Sequence, residues 1–470
     1  MRNHPLSIDL DLCNKNGLFA YLDTTATKQG FSDFINVILD NGAGLSEVQV
    51  RQFKVQTYVR KKFQPFILLK HLHAKVREPR AKWDGEVSVK PVSFWSGGFR
   101  KVLRVFFPIL SILTPVYGIL SLVFNLPLFT VLLFVNLLLF LSYRKDSLKI
   151  WKQIAGISKT TTEFSHLFLY LSREKKIAKK YLNRIQILGD SFEILISPLP
   201  HFLLNGIFLW DLWKVEGFSK WVQNFGGTWN TNWDKIREFD SLSPFVNLSI
   251  LNPEYEFPNL SDGDKLKAKE LVHPLISKEI AVKNPLDAVS KGDLVVITGS
   301  NMSGKTTYLR SVAVSLLLAR AGARFAGKGL DLPPFQIHTL IRSQDSLEDG
   351  VSFFYSEVRR LAEILRSADS ERQIPILFLD EILKGTNSKE RYIATRELLF
   401  ALKAKGAIVF VTTHDLKISE IPWAKQFHFT ELELDGNMSF DYRIRNGISK
   451  STNALKILKK EGIPILNEEE

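Results

Sequence analysis

The chain has 470 residues, with 62 Lys and Arg against 49 Asp and Glu, a formal charge of +13 and a pI near 9.5. That length allows several domains with real cores, and the basic balance favours polyanionic partners such as nucleic acid or acidic lipid headgroups, with a merely solvated basic surface as the bland alternative. A single cysteine, Cys13, excludes an intrachain disulfide and suits a reducing compartment.

The N-terminal stretch MRNHPLSIDLDL lacks the apolar core of a signal peptide. Residues 47–76 carry apolar side chains at near-helical spacing (Val50, Phe53, Phe63, Phe66, Leu69), and Pro65 is expected to bend that helix. Residues 105–143 then contain no charged side chain, a run of roughly 39 where one helical span needs about 20. Asn125 and Pro127 near its centre suit a tight turn. Arg100, Lys101 and Arg104 precede the run and Arg144, Lys145 and Lys149 follow it. Positive charge at both ends predicts a two-helix transmembrane hairpin, spans about 105–123 and 127–143, with both ends in the cytoplasm. Membrane lipid is then a partner and the cytoplasmic membrane the location.

Residues 148–188 return with Trp151, Ile154, Ile157 and Phe164 on one face. REKKIAKK, residues 173–180, is a basic face: a solvated helix surface, or a contact to phosphates or lipid headgroups. The tryptophan-rich residues 208–225 read as core packing, with interfacial membrane contact as the alternative.

LVVIT, residues 294–298, reads as a buried strand. It leads into Gly299, Ser300, Asn301, Met302, Ser303, Gly304, Lys305 and Thr306, which fit G-x-x-x-x-G-K-[ST]. The glycines let the backbone curl so that N–H groups face phosphates. Lys305 would neutralise phosphate charge, and the Thr306 hydroxyl would bind Mg²⁺. Residues 305–320 read as a helix whose N-terminal dipole adds to anion binding. A second strand, ILFLD, ends at Asp380, placed to order the Mg²⁺ shell. Glu381 follows, placed to orient or deprotonate water, although an acidic pair at a strand end also suits helix capping. A third strand, AIVFVTTH, ends at His414, a candidate γ-phosphate sensor. DGN at Asp435 suits a hairpin turn between ELEL and a strand around Tyr442.

The loop TGSNMSGKTTYLR resembles the phosphate loop of the MutS family, T-G-P-N-M-[GS]-G-K-[ST]-T-Y-L-R, with Ser300 in place of proline; Thr307 falls within it. DSLEDGVSFFYSE, residues 345–357, resembles the family's D-x-L-x-x-G-x-S-x-F-x-x-E. DEILKGT from Asp380 and TTHD around His414 resemble two further family blocks, and IRNGISKSTNALKILKKEGIP its closing segment. The resemblance is specific over residues 270–465. It is looser over SIDLDLCNKNGLFAYLDTTATKQGFSDFINVIL, EVQVRQFKVQTYV and WDKIREFDSLSPFVNLS, which resemble the helical core and lever.

The resemblance implies ATP and Mg²⁺ as cofactors. It also implies that Ser352 reaches the γ-phosphate held by another subunit, and hence a homodimer with composite sites. The expected organisation is a helical core and lever in residues 1–92 and 145–270, the hairpin in 93–144, and a MutS-like ATPase domain in 271–470. The expected fold is an α/β P-loop NTPase domain, a mostly parallel sheet with helices on both faces, preceded by an all-α core/lever domain interrupted by the transmembrane hairpin.

Three departures stand out. The family's mismatch-reading domain has no counterpart here. The apolar run takes the place of the DNA-enclosing clamp. IAVKNPL, residues 280–286, lacks the aromatic that family members often stack on adenine. The expected function is a membrane-anchored ATPase that hydrolyses ATP at a dimer interface and transmits closure through lever helices. Two rivals stand beside it. One is a DNA-binding mismatch-repair or junction ATPase, for which duplex or branched DNA would be a partner. The other is a transporter-type motor, which would need the L-S-G-G-Q signature that this sequence lacks.

Overall fold

The computed structural model describes residues 4–60, 89, 91–124, 128–172, 175–191, 197–300, 302–341, 353–368, 373–383, 386–434 and 437–448. In chain order the elements begin with short helices α1 (Pro5–Asp9) and α2 (Leu18–Leu22), then α3 (Lys28–Leu39) and α4 (Leu45–Arg60). Next come α5 (Gly98–Phe124), α6 (Leu128–Leu171), α7 (Lys175–Asp190), α8 (Pro198–Phe208), α9 (Trp210–Trp221), a π turn (Val222–Gly226) and α10 (Gly227–Leu251). Then follow β1 (Asn259–Leu260), β2 (Leu266–Leu271), β3 (Asn284–Val289), β4 (Leu294–Thr298), α11 (Lys305–Arg320), β5 (Gly327–Lys328), β6 (Asp331–Leu332) and β7 (Phe335–Leu340). The chain continues with α12 (Phe353–Ser367), β8 (Ile374–Asp380), α13 (Ser388–Ala404), β9 (Ile408–Thr412), α14 (Leu416–Ser419), β10 (Ala424–Leu434) and β11 (Asn437–Asn446).

Two units divide the chain. One comprises Met1–Thr24, Asp33–Lys62 and Leu242–Glu470; the other comprises Thr25–Ser32 and Phe63–Ser241.

The first unit is built on a six-stranded sheet of order β11-β10-β4-β9-β8-β7. Strands β10, β4, β9, β8 and β7 pair in parallel, and β11 joins β10 antiparallel at the edge. Strands buried on both faces should read as unbroken apolar runs, and β4 and β9 are buried at all five positions. Leu294, Val296, Leu377, Leu379, Val409 and Val411 share one core with Leu361 and Ile364 of α12, Leu399 and Leu402 of α13, and Ile418 of α14. The alternate residues point to the opposite face, where α11 packs on β8 and β9 and Phe378 stacks on Phe410 at 5.1 Å. Helix α11 is buried along nearly its whole length, which is why its apolar residues are not confined to one stripe. A smaller sheet, β1-β6-β2-β3 with β5 on β2, precedes and flanks α11 in sequence.

The N-terminal helix α1 belongs to this unit. Asp9 is fully buried; its carboxylate accepts from Arg360 Nη2 of α12 at 2.5 Å and from Thr339 Oγ1 of β7 at 2.6 Å. Asp11 pairs with Arg310 of α11 at 2.9 Å.

The second unit is helical. Its core is aromatic: Trp151, Phe168, Tyr181, Phe218 and Trp229 are all fully buried. Helices α5 and α6 are long and apolar enough to cross a membrane, and only 17% of the most apolar window of each is buried. Both outrun the uncharged sequence run: α5 starts at Gly98, and α6 continues to Leu171, about eight turns past Tyr143 at the ordinary 3.6 residues per turn. The return expected over residues 148–188 is therefore not one helix: α6 kinks at Phe164 (φ −107°, ψ 17°) and ends at Leu171, before α7 begins at Lys175. Asn125, Pro127, Pro65 and the Asp435 turn lie outside the described residues.

Candidate nucleotide site

The site lies at the carboxyl ends of β4, β8 and β9. Residues 299–304 link β4 to α11, and the loop closes tightly because of its glycines. Gly299 sits at φ 136° and Gly304 at φ 108°, where a side chain is strained. A Cβ on Gly299 would also stand 2.6 Å from the Phe429 carbonyl oxygen. Met302 holds φ 67° and is 86% exposed, whereas Ser303 is buried and donates to the Ser300 carbonyl at 2.8 Å. Lys305 is only 5% exposed, and its Nζ donates to the carbonyls of Gly299 and Ser300 at 2.7 Å each. The ammonium is thus held inside the arc of the loop. Thr307 follows on α11 and lines the pocket described below.

In the first turn of α11, Thr306 Oγ1 donates to Asp380 Oδ2 at 2.8 Å. Thr412, at the end of β9, donates its hydroxyl to the other carboxylate oxygen, Asp380 Oδ1. Asp380 is held from both sides, and its carboxylate and the Thr306 hydroxyl form a pair of hard oxygen donors. That pair fits the oxygen preference of Mg²⁺.

Glu381 takes φ 46° and Leu383 φ 60°, left-handed backbone at two non-glycine residues. Such strain persists only where neighbours over-determine it. Here the Glu381 N–H donates to the Thr412 carbonyl at 3.1 Å, and the Leu383 N–H donates to Glu357 Oε1 of α12 at 2.8 Å. Glu357 is the last residue of the stretch 345–357, so this buried contact gives its carboxylate a positioning role that the sequence pattern did not reveal. The turn aims Glu381 at His414, whose Nε2 lies 2.9 Å from Glu381 Oε1. Arg391, Tyr392 and Thr395 of α13 line the same cleft. Ser352 and Asn301 lie outside the described residues.

Beside the loop is a second pocket of about 290 Å³, lined by His273, Ile280, Val282, Gly304, Thr307, Tyr308, Phe429 and Tyr442. Burial drops the His273 pKa to about 4, helped by the nearby Arg310 charge, so the ring is neutral at ordinary pH. Burial likewise raises the Tyr308 phenol, which donates to the Pro285 carbonyl at 2.9 Å. Tyr442 enters from β11 at φ 53°. Asn284 fixes it there: Nδ2 donates to the Tyr442 carbonyl and Oδ1 accepts from the Ile444 N–H, both at 2.9 Å. Residues 280–286 carry no aromatic, but Tyr442, 158 positions beyond Asn284, lines this pocket. No local sequence pattern places it there.

Residues 295–468 match the family described as MutS domain V. The chain is 29% identical over 241 residues to the DNA mismatch repair protein MutS of Natronomonas pharaonis, covering 49% of this chain and 28% of that protein. It is 30% identical over 241 residues to the MutS of Fusobacterium nucleatum, covering 49% of this chain and 26% of the relative. It is also 30% identical over 234 residues to the MutS of Thermus thermophilus, covering 49% of this chain and 28% of the relative. The matched stretch therefore spans between a quarter and a third of the length of these relatives. Over its C-terminal half the chain is thus similar to MutS proteins, and residues 295–468 match that family's domain V.

Proposed function

We propose that this protein is a membrane-anchored MutS-like ATPase whose site is completed across a dimer interface. The observation that carries the reading is the Thr306–Asp380–Thr412 chain lying beside the Lys305 loop, with Glu381 and His414 at the next strand tips. The loop N–H groups and Lys305 would bind the phosphates of ATP. Thr306 and Asp380 would hold Mg²⁺, which supplies charge neutralisation at the phosphates. Glu381 would orient the attacking water and accept its proton, with His414 fixing the carboxylate. Ser352, by family resemblance, would serve the partner's site. The pocket of His273, Phe429 and Tyr442 would take the base.

Anchoring rests on α5 and α6, whose outward residues Val105, Ile119, Leu122, Val131 and Phe134 are all more than half exposed. A surface of that size and apolarity suits acyl chains. Helix α10 contains both Ser241 and Leu242, the residues at which the chain passes between the two units, and it is our candidate lever. The relatives' names favour DNA as a partner, and the charge of +13 is compatible with it, so duplex and branched DNA are the ligands to try first.

The direct test is phosphate release by purified full-length protein with Mg²⁺ and ATP. Parental protein should turn over and Lys305→Ala should not. Equal release by both refutes the assignment of the loop.

A further inference from the structure

The second unit carries an apolar element that the two long helices do not account for. Helix α8 has 11 residues, a length of about 16 Å, which is half of a bilayer core and too short to cross it. Residues 198–210 contain no Asp, Glu, Lys or Arg. Leu199, Phe202, Leu203 and Phe208 are between 41% and 69% exposed.

The contacts of α8 with the hairpin fall within the uncharged run. Asn136 Nδ2 of α6 donates to the Gly206 carbonyl at 3.0 Å and to Thr114 Oγ1 of α5 at 2.9 Å. Phe140 packs edge-on against His201 at 5.3 Å and against Phe202 at 6.2 Å. Leu209 joins the core formed by Phe107, Phe140 and Tyr143. The polar side chains of the segment turn inward and are satisfied there. His201 Nε2 lies 2.9 Å from Asp211 Oδ1, and Asn205 Oδ1 accepts from the Asp211 N–H at 3.0 Å. Asp211 itself is fully buried and also accepts from Ser147 Oγ at 3.0 Å and Trp151 Nε1 at 3.1 Å. A segment facing water has no reason to hide its few polar groups and present leucine and phenylalanine.

We propose that α8 is a third membrane element: a re-entrant helix seated in the leaflet at the open end of the hairpin, with Leu199, Phe202, Leu203 and Phe208 against acyl chains. The left-handed Leu209, φ 48°, then turns the chain out into α9, and the half-exposed Trp213 marks the headgroup level. The backbone satisfies itself as a helix, and the Asn136 amide N–H groups tie α8 to both spans. This inference rests on the reading of α5 and α6 as membrane spans.

The test uses the full chain with Cys13→Ser, which removes the only native cysteine. Leu203→Cys, Leu199→Cys and Val131→Cys are each labelled with an environment-sensitive fluorophore. The proteins are reconstituted in vesicles of phosphatidylcholine and phosphatidylglycerol. Quenching by an acyl-chain nitroxide lipid is compared with quenching by aqueous iodide. All three positions should be blue-shifted and quenched by the nitroxide lipid, not by iodide. Iodide quenching at 199 and 203 with nitroxide quenching at 131 overturns the re-entrant helix and leaves the hairpin standing. Iodide quenching at all three overturns both. Protection of 199 and 203 from both quenchers means that protein covers α8, and also overturns the proposal.

Discussion

Asp9→Ala tests whether the N-terminus is part of the nucleotide-binding unit. Asp9 is fully buried, and it neutralises Arg360 Nη2 at 2.5 Å while accepting from Thr339 at 2.6 Å. Removing it leaves a guanidinium, its side chain 24% exposed, with the Thr339 carbonyl at 2.8 Å but without this countercharge. Breaking a buried pair from one side costs about 3–5 kcal/mol, and the partial exposure of Arg360 favours the low end, about 3 kcal/mol. At about 1.4 kcal/mol per decade, local opening of β7 and α12 should become roughly a hundredfold more frequent. Hydrogen exchange of peptides from β7 and α12 reads this directly. Asp9→Ala combined with Arg360→Met removes both charges and should exchange more slowly than Asp9→Ala alone. Because α12 also carries Glu357, which holds the Leu383 N–H, the single variant should lose ATP hydrolysis too. Parental exchange rates in β7 and α12 of Asp9→Ala would refute this reasoning.

Glu381→Gln should retain nucleotide while hydrolysis falls by about 10²–10⁴, measured as phosphate release beside equilibrium binding; parental turnover would reassign the base. Gly299→Ala places a methyl 2.6 Å from the Phe429 carbonyl at φ 136° and should abolish nucleotide binding, with the remainder of the fold retained by circular dichroism. Tyr442→Ala should weaken adenine nucleotides by about tenfold, the scale of one aromatic contact, and leave inorganic triphosphate binding unchanged. His273 and His338 both sit at pKa about 4 in the fold, lowered first by burial from an ordinary 6.5. The unfolded chain therefore takes up these protons first. Their stabilisation is complete above pH 6.5 and is lost as pH falls towards 4, at up to about 1.4 kcal/mol per pH unit for each histidine. Urea midpoints at pH 7 and pH 5 should differ in that direction, and less so in His338→Gln.

What was legible in the sequence was local. The run LVVIT, the glycine-bounded loop and the apolar helix after it carry their own signals, and β4 and α11 have the expected bounds. The strand ending at Asp380 was legible for the same reason. The extent of α6 was not. Past Tyr143 it exchanges an apolar exterior for a buried stripe through Trp151, Ile154 and Ile157, and helix continues across a change of surroundings that composition marks as a boundary. Long-range partners were silent altogether. Asp9 and Arg360 lie 351 positions apart, and no local pattern announces that α1 closes onto β7 and α12. Tyr442 reads as an ordinary strand tyrosine until Asn284 grips its backbone. Helix α8 is too short for a span by length and reads as core by its aromatics. Its docking on Asn136 and its exposed Leu203 become visible only in the fold.

The central claim is that triphosphate draws two anchored copies together. Mass measurement of the Glu381→Gln protein in detergent or nanodiscs, with and without Mg²⁺ and ATP, tests it most directly. The account predicts a dimer that forms with ATP and persists because hydrolysis is blocked. A protein that stays monomeric under saturating ATP contradicts it.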